Sequence, residues 1–409
     1  MPLLFASNEL GADEFERRRG QARRSGSPAW LWPEVRVESW AAAMTEISKA
    51  AAAAMAGQRL ALPAFEPMAF SLACYTSGTG ALLGYWLEHG KLDAPRELAE
   101  LLALHLKHGR GRAKRAETES RKLVGALVEA GLPIVVLKGG HTSHVYFPDP
   151  ATRPMSDLDL LVPAESAPAA EVALATSGLA CAGRAKRESS WVPKDHPREP
   201  RSIWLAHADD PWSVDLHSSL NFSADPGASL VRFDAADPIE TSEPWPLDDG
   251  AGVLAQPLLL LHLAVHASGG LHSLTLLRIV EIVLVVRQEI AGGRLSWDDF
   301  LHVGALTNAL GAAYPALAMA EKLAPGTIPA HVLKISSEIA PARARAIVDG
   351  LEPATAHRVE RASVAEHFMW ATGFSGWARQ IASDLVPTSD FWPIYQARAY
   401  RLMRGRVSR

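Results

Sequence analysis

The sequence predicts an α+β chain, a small mixed β-sheet core flanked by largely α-helical N- and C-terminal regions. Two short apolar runs, Ile134–Leu137 and Leu158–Val162, sit among helical patterns and read as buried strands. Before them lie alanine- and leucine-rich segments with strong helix propensity. After them comes a series of apolar segments of helical length, separated by Gly, Pro and Asp. The expected divisions are a mobile arm over 1–36, a helical region over 37–115, the sheet core over 116–222, a connector over 223–250 and a helical domain over 251–409.

Composition narrows the function classes. The 409 residues suffice for two or three domains. A net charge of -4 argues against a bulk basic surface for nucleic acid. Only two cysteines occur, Cys74 and Cys181, which excludes a disulfide framework and a multi-cysteine zinc site and suits a cytoplasmic location. The first twenty residues lack the pattern of a secretory signal. Gly252–Leu277 carries no Asp, Glu, Lys or Arg, yet it holds Gln256, Pro257, three histidines and Gly269–Gly270. That stretch reads as a buried helix and the start of another, so no membrane partner is expected.

The elements follow in order. Arg17, Arg18, Arg19, Arg23 and Arg24 read as a solvated arm, while Trp30, Trp32 and Trp40 are candidates for a partner surface. Helical patterns begin near Trp40, and Leu98–Leu106 is a dense apolar cluster. Gly109–Arg115, GRGRAKR, reads as a basic loop or helix edge. Glu117–Ala130 is a helix stopped by Gly131 and Pro133. His141–Phe147 is a short helix, Asp149–Arg153 a loop, and Ala167–Thr176 a helix ended by Gly178. Ser202–His207 and Trp212–His217 read as a hairpin across Asp209–Pro211. Beyond the connector, helices are expected at Leu254–Ala267, Leu274–Ile290, Trp297–Thr307, Ala312–Leu323, Ala342–Leu351 and Val359–Ala371. His262 and His266 read as satisfied core histidines, and Arg278 with Glu281 as a half-buried pair.

The chemistry concentrates in three segments. Lys138-Gly139-Gly140 closes the first strand, and glycine lets a backbone turn sharply and approach a ligand. Asp157 and Asp159 are two apart at the start of the second strand, so their carboxylates share a face. Two adjacent carboxylates repel, and a hard divalent cation is the usual remedy. Asp215 lies in a further apolar strand; if that strand neighbours Leu158–Val162, a three-carboxylate cluster results. Such a cluster suits metal-dependent phosphoryl or nucleotidyl transfer. Lys138 and Arg153 are candidate phosphate contacts. No G-x-x-x-x-G-K-[ST] sequence is present, which argues against a P-loop kinase.

Taken together, LKGG, RPMSDLDLLV and VDLH resemble the polymerase-beta-like nucleotidyltransferase superfamily. Within it they resemble the uncharacterised bacterial nucleotidyltransferase-like proteins, some of which lie near peptide natural-product genes. The resemblance spans about Leu123–Leu220. It implies that Gly139 and Gly140 hold the triphosphate of an NTP, ATP foremost, and that Asp157 and Asp159 bind two Mg2+ ions, with Mn2+ as a substitute. It implies that Asp215 ligates the catalytic ion and helps deprotonate an acceptor hydroxyl on a small molecule, a peptide or protein, or RNA. Two departures stand out: His141 follows Gly140 where the superfamily usually has serine, and Ser218 follows His217 where an aromatic residue is usual. The rival expectations are a catalytically decayed scaffold that keeps the fold, and a toxin-like enzyme that modifies tRNA or protein.

Overall fold

Thirteen α-helices and two β-sheets make up the described part of this computed structural model. The structure describes residues 27–32, 34–195, 202, 204–224, 227–270, 274–355 and 368–385, together with Glu14, Arg17, Arg18, Gln21 and Ala22. The fold is α+β with a mixed sheet, as the sequence predicts.

The N-terminal helices are α1 (Val37–Met55), α2 (Pro67–Ser77) and α3 (Gly80–Glu88), with the short parallel strands β1 (Leu60–Ala61) and β2 (Leu92–Asp93) between and after them. Trp32 and Trp40 are buried, and the Trp40 indole donates to the Thr76 hydroxyl at 3.1 Å. These tryptophans are therefore core, not a partner surface. Ala29, Leu31 and Trp32 also pack inside, so the chain is already anchored before residue 36. Most of the arginine-rich arm lies outside the described residues.

Helix α4 (Arg96–Glu129) is the longest element. At 1.5 Å per residue its 34 residues span about 50 Å. Leu98 and Leu102 join the helical core, whereas Leu123, Val124 and Leu127 join the core beneath the sheet. The expected division at residue 116 thus falls inside one continuous helix. GRGRAKR is helical as well. A side chain at Gly109 would place its Cβ 2.7 Å from the Ala151 carbonyl oxygen, so glycine permits the close approach of the following loop. Gly131, at φ 73°, ends the helix in the left-handed region.

The larger sheet has seven strands in the order β5-β6-β7-β4-β3-β9-β8. They are β3 (Val135–Val136), β4 (Asp157–Leu161), β5 (Leu179–Arg184), β6 (Glu188–Pro193), β7 (Ser213–His217), β8 (Glu243–Trp245) and β9 (Asp248–Val253). Strand β4 runs antiparallel to β3 and parallel to β7. Helices α5 (Gly139–Val145) and α6 (Ala167–Thr176) follow β3 and β4. Leu158, Leu160, Val214 and Leu216 point into the core shared with α4 and α6. Val135, Leu137 and Leu161 belong to the other, larger core, together with the C-terminal helices.

Two expectations change here. The partner of β7 is β6, not Ser202–His207; the described residues of that segment form no strand. The stretch 223–250 contributes β8 and the first half of β9 to the sheet. Pro244, the aspartates and the glycines of these strands have low strand propensity, and β9 is ordered by pairing with β3. Gly252 is required there, since a Cβ would lie 2.5 Å from the Ser242 hydroxyl.

The C-terminal helices are α7 (Leu258–Ser268), α8 (Leu276–Ala291), α9 (Trp297–Leu306), α10 (Leu310–Leu323), α11 (Ala330–Ile339), α12 (Ala342–Asp349) and α13 (Gly373–Leu385). Thr275 and Ser296 cap α8 and α9 by accepting backbone N–H bonds. Helices α11 and α13 are additions to the sequence reading, and the expected helix at Val359–Ala371 lies largely outside the described residues. No helix among the described residues is long and apolar enough to cross a membrane.

One side chain ties the ends of the two central strands together. Arg112 of α4, only 6% exposed, donates to the carbonyl of Met155 ahead of β4, and to those of His207 (3.1 Å) and Pro211 (3.3 Å) ahead of β7. Lysine cannot reproduce this planar fork. Arg112→Lys is expected to lose about 2–3 kcal/mol of stability. The urea midpoint measures it, and an unchanged midpoint would rule out the clamp.

Candidate active site

The parallel pairing of β4 with β7 sets Asp159 directly opposite Asp215 and Asp157 opposite Ser213. Side chains two apart share a face, so Asp157, Asp159 and Asp215 converge on the face turned away from Leu158 and Leu160. One ligand oxygen from each lies within 4.8 Å of the others. The cluster inferred from separated segments is therefore assembled, and among the described residues no guanidinium is bonded to Asp215.

The three carboxylates have unequal surroundings. Asp159 is 5% exposed, and its Oδ1 accepts from Lys138 Nζ at 2.6 Å and lies 3.1 Å from His217 Nε2. Burial would raise its pKa, but Lys138 and His217 outweigh burial and hold the carboxyl well below its usual range. Asp215 is half-buried and accepts from the Ser190 hydroxyl at 2.6 Å. Burial pushes it up to about 6; the Ser190 bond opposes this, and the nearby carboxylates of Glu188, Asp159 and Asp157 add to it. Asp157 accepts a 3.2 Å bond from the Ser156 hydroxyl. Among the described residues Asp159 alone of the three is bonded to a lysine or arginine, while Arg112, Arg153 and Arg278 act on Asp157 or Asp159 through space. Three hard oxygen donors this close together fit a divalent cation.

The glycines have a packing role that the motif alone does not show. Both are buried at the start of α5. A Cβ on Gly139 would sit 2.1 Å from Arg153 Nη1, and one on Gly140 would sit 2.7 Å from Val136 Cγ1. The Gly140 N–H is committed to the Leu137 carbonyl at 3.2 Å, and its own carbonyl accepts from the Trp245 indole at 3.0 Å. Just before them, Lys138 holds φ 45° and ψ -125°, a conformation that disfavours a side chain.

Arg153 is placed differently from the expectation of a phosphate contact. Its guanidinium grips Glu281 of α8 at 2.6 and 3.1 Å, and the Thr142 hydroxyl donates to the same carboxylate. Glu281 is 3% exposed. The carboxylate of α8 is thus bonded across to the sheet region by Arg153, while Arg278, expected as its partner, acts on it through space. His262 lies buried in α7, within electrostatic reach of Lys138, Asp159 and His217, and burial lowers it to about 3. It is neutral and internal, as expected, yet its Nδ1 lacks a hydrogen-bond partner among the described residues, so it is not satisfied.

The comparison with known families follows the same residues. A model of the uncharacterised nucleotidyltransferase family matches residues 69–325, more than half of the chain. The chain belongs to that family. No curated protein and no solved structure matches it. The matched span covers the sheet, all three aspartates and helices α7 to α10, and it ends near Leu323.

In this nucleotidyltransferase-family chain, three residues at the site escaped the sequence reading as site residues. His217 stands two residues after Asp215, and period-two spacing alone puts it on the same face. Ser190 and Glu188 come from β6, a strand with serines and few β-branched residues; His217 Nδ1 lies 3.6 Å from Glu188. No local signal marks them.

Two predictions follow from these charges. Glu281→Ala leaves Arg153 buried without its carboxylate and is expected to lose about 3–5 kcal/mol, while the pair Arg153→Met with Glu281→Leu recovers most of that loss. Urea denaturation compares them, and equal stability of all three proteins would contradict the assignment. Asp215 titrates at about 6 in the folded chain against 3.8 ordinarily, so the folded state binds the extra proton between those values. Stability from this group therefore falls as pH rises from about 4 to about 6. In EDTA, Asp215→Asn is expected to gain about 1–2 kcal/mol at pH 8 and almost nothing at pH 4. A loss of stability at pH 8 would count against the crowded carboxylate.

Proposed function

We propose that this chain transfers a nucleoside monophosphate from an NTP, ATP foremost, to an acceptor hydroxyl and releases pyrophosphate in a Mg2+-dependent reaction in the cytoplasm. The observation that carries the reading is the convergence of Asp157, Asp159 and Asp215 on one face of two parallel strands, in a member of a nucleotidyltransferase family. A divalent cation held by these carboxylates, Mg2+ or Mn2+, would neutralise the polyphosphate and acidify the attacking hydroxyl.

The chain's own residues do the positioning. Ser190 keeps Asp215 turned toward Asp159. Its raised affinity for a proton suits Asp215 to accept one from a hydroxyl brought against it. Lys138 has three N–H donors, of which Asp159 uses one, and the others can meet phosphate oxygens. Arg153 keeps the turn at Gly139 in place through Glu281, as a structural brace and not a substrate contact. Catalysis of this kind rests on alignment and charge compensation, with no covalent intermediate on the protein.

A second reading has one observation in its favour. Asp159 is already satisfied by Lys138 and His217, as in a site that binds nucleotide without turnover. The two readings separate cleanly. With α-labelled NTPs and Mg2+, the wild-type chain is expected to release pyrophosphate and label an acceptor, and Asp157→Ala with Asp159→Ala to do so about 10²–10³-fold more slowly. Equal release from both would sink the enzyme reading. Mg2+-dependent binding of NTP with no release would favour the second.

A further inference from the structure

Lys138 does two things at once that are each unfavourable alone. Its backbone sits at φ 45° and ψ -125°, a region that disfavours a residue with a side chain. Its side chain is largely withdrawn from water, 13% exposed, where desolvation opposes charge. Both are tolerated because the surrounding bonds over-determine the position. Leu137 N–H bonds the Asp159 carbonyl at 3.0 Å, and the Lys138 carbonyl accepts from the N–H groups of His141 (3.0 Å) and Thr142 (2.8 Å). The backbone is thereby pinned on both sides of the strained residue, and the side chain closes the ring with a 2.6 Å bond to Asp159.

That placement bears on how many cations the cluster can take. The Lys138 ammonium and the His217 ring share a single oxygen, Oδ1 of Asp159. A cation bound at this oxygen would have to displace both. The ammonium bonded among the three carboxylates already offsets part of their negative charge, and Arg153 and Arg278 act on Asp157 and Asp159 from further away. A second divalent ion would add two positive charges beside a lysine that the backbone holds in place, at a cost set by the low local dielectric. Among the described residues neither Asp157 nor Asp215 is hydrogen-bonded to Lys138 or His217, so their oxygens are the ones an ion can reach without displacing either group.

We propose that Lys138 is a built-in cation that takes the place of one of the two metal ions, so that the aspartate cluster binds a single divalent ion, held chiefly by Asp157 and Asp215. This rests on the nucleotidyl-transfer reading of the same site and replaces the two ions that the family resemblance implies. Lys138 is here a positioning group for charge: it neutralises Asp159 permanently, and the one ion completes the balance only when it arrives.

The test counts ions instead of turnover. The full chain is titrated with Mn2+ alone, with binding followed by calorimetry and by electron paramagnetic resonance, in which two ions a few ångströms apart give a coupled spectrum distinct from that of an isolated ion. The wild-type protein is expected to bind one Mn2+ at the cluster with an uncoupled spectrum, and Asp215→Asn to lose it by at least about tenfold in affinity. Lys138→Met keeps the bulk of the side chain, and Lys138→Gly also relieves the backbone strain, so at least one variant is expected to fold. Each is expected to bind a second Mn2+ and to show the coupled spectrum. Two coupled ions in the wild-type protein would overturn the proposal and leave nucleotidyl transfer standing. A single ion in both lysine variants, or a wild-type ion indifferent to Asp215→Asn, would overturn it too. Failure of every protein to bind Mn2+ would overturn both the proposal and the metal-dependent reading.

Discussion

The parallel ladder between β4 and β7 is the constraint on which the site depends. It places residues 157 and 159 beside 213 and 215, and a shift of one residue would turn every carboxylate to the opposite face. The register is held from the other side of the same strands. Leu158, Leu160, Val214 and Leu216 are all at or below 2% exposure against α4 and α6. A slip would drive aspartates into that apolar layer and expose leucines, a penalty far larger than any single hydrogen bond. The charged face is thus precise because the greasy face is tightly packed.

Charge is then distributed around this ladder in graded fashion. Asp159, the most buried of the three, receives Lys138 and His217; Asp215 receives a neutral hydroxyl; Asp157 stands at the strand's start. One carboxylate is stabilised as an anion and another is pushed toward its acid form, although they are neighbours across the ladder. Such separation of proton affinities within one site is what acid–base and cation chemistry needs, and it works against stability in the metal-free chain. The other ionic pair, Arg153 with Glu281, sits behind the glycine turn. It joins the segment ahead of β4 to α8 and so couples the helical C-terminal region to the geometry of the turn.

The glycine pair shows how a motif can carry two messages. Read locally, Gly139-Gly140 suggests backbone approach to phosphate. In the fold, each lacks a side chain because Arg153, Val136 or Leu158 occupies that space. The strained residue at this turn is the lysine before them, held so that its ammonium reaches Asp159. Chemistry and packing therefore meet at one bend.

Much was legible from residue order alone. Apolar runs marked β3 and β4, terminators such as Gly131 and Gly178 marked helix ends, and period-two spacing put Asp157, Asp159 and the later Asp215 among the candidates. These are properties of neighbouring residues, and short-range sterics and hydropathy write them into the chain. Partners were not legible. That β7 pairs with β6 as well as β4, that 223–250 supplies the edge strand β8 and half of β9, that Glu281 bonds Arg153, and that Lys138 closes on Asp159 all depend on contacts between distant segments. Strands such as β5 and β9, with small or polar residues, become strands because a neighbour offers them hydrogen bonds. Local propensity is too weak to announce them. The sequence by itself determined which residues could bear charge on a strand face; tertiary packing decided which charges meet, because only the closed sheet and the helices behind it bring those groups within hydrogen-bonding distance.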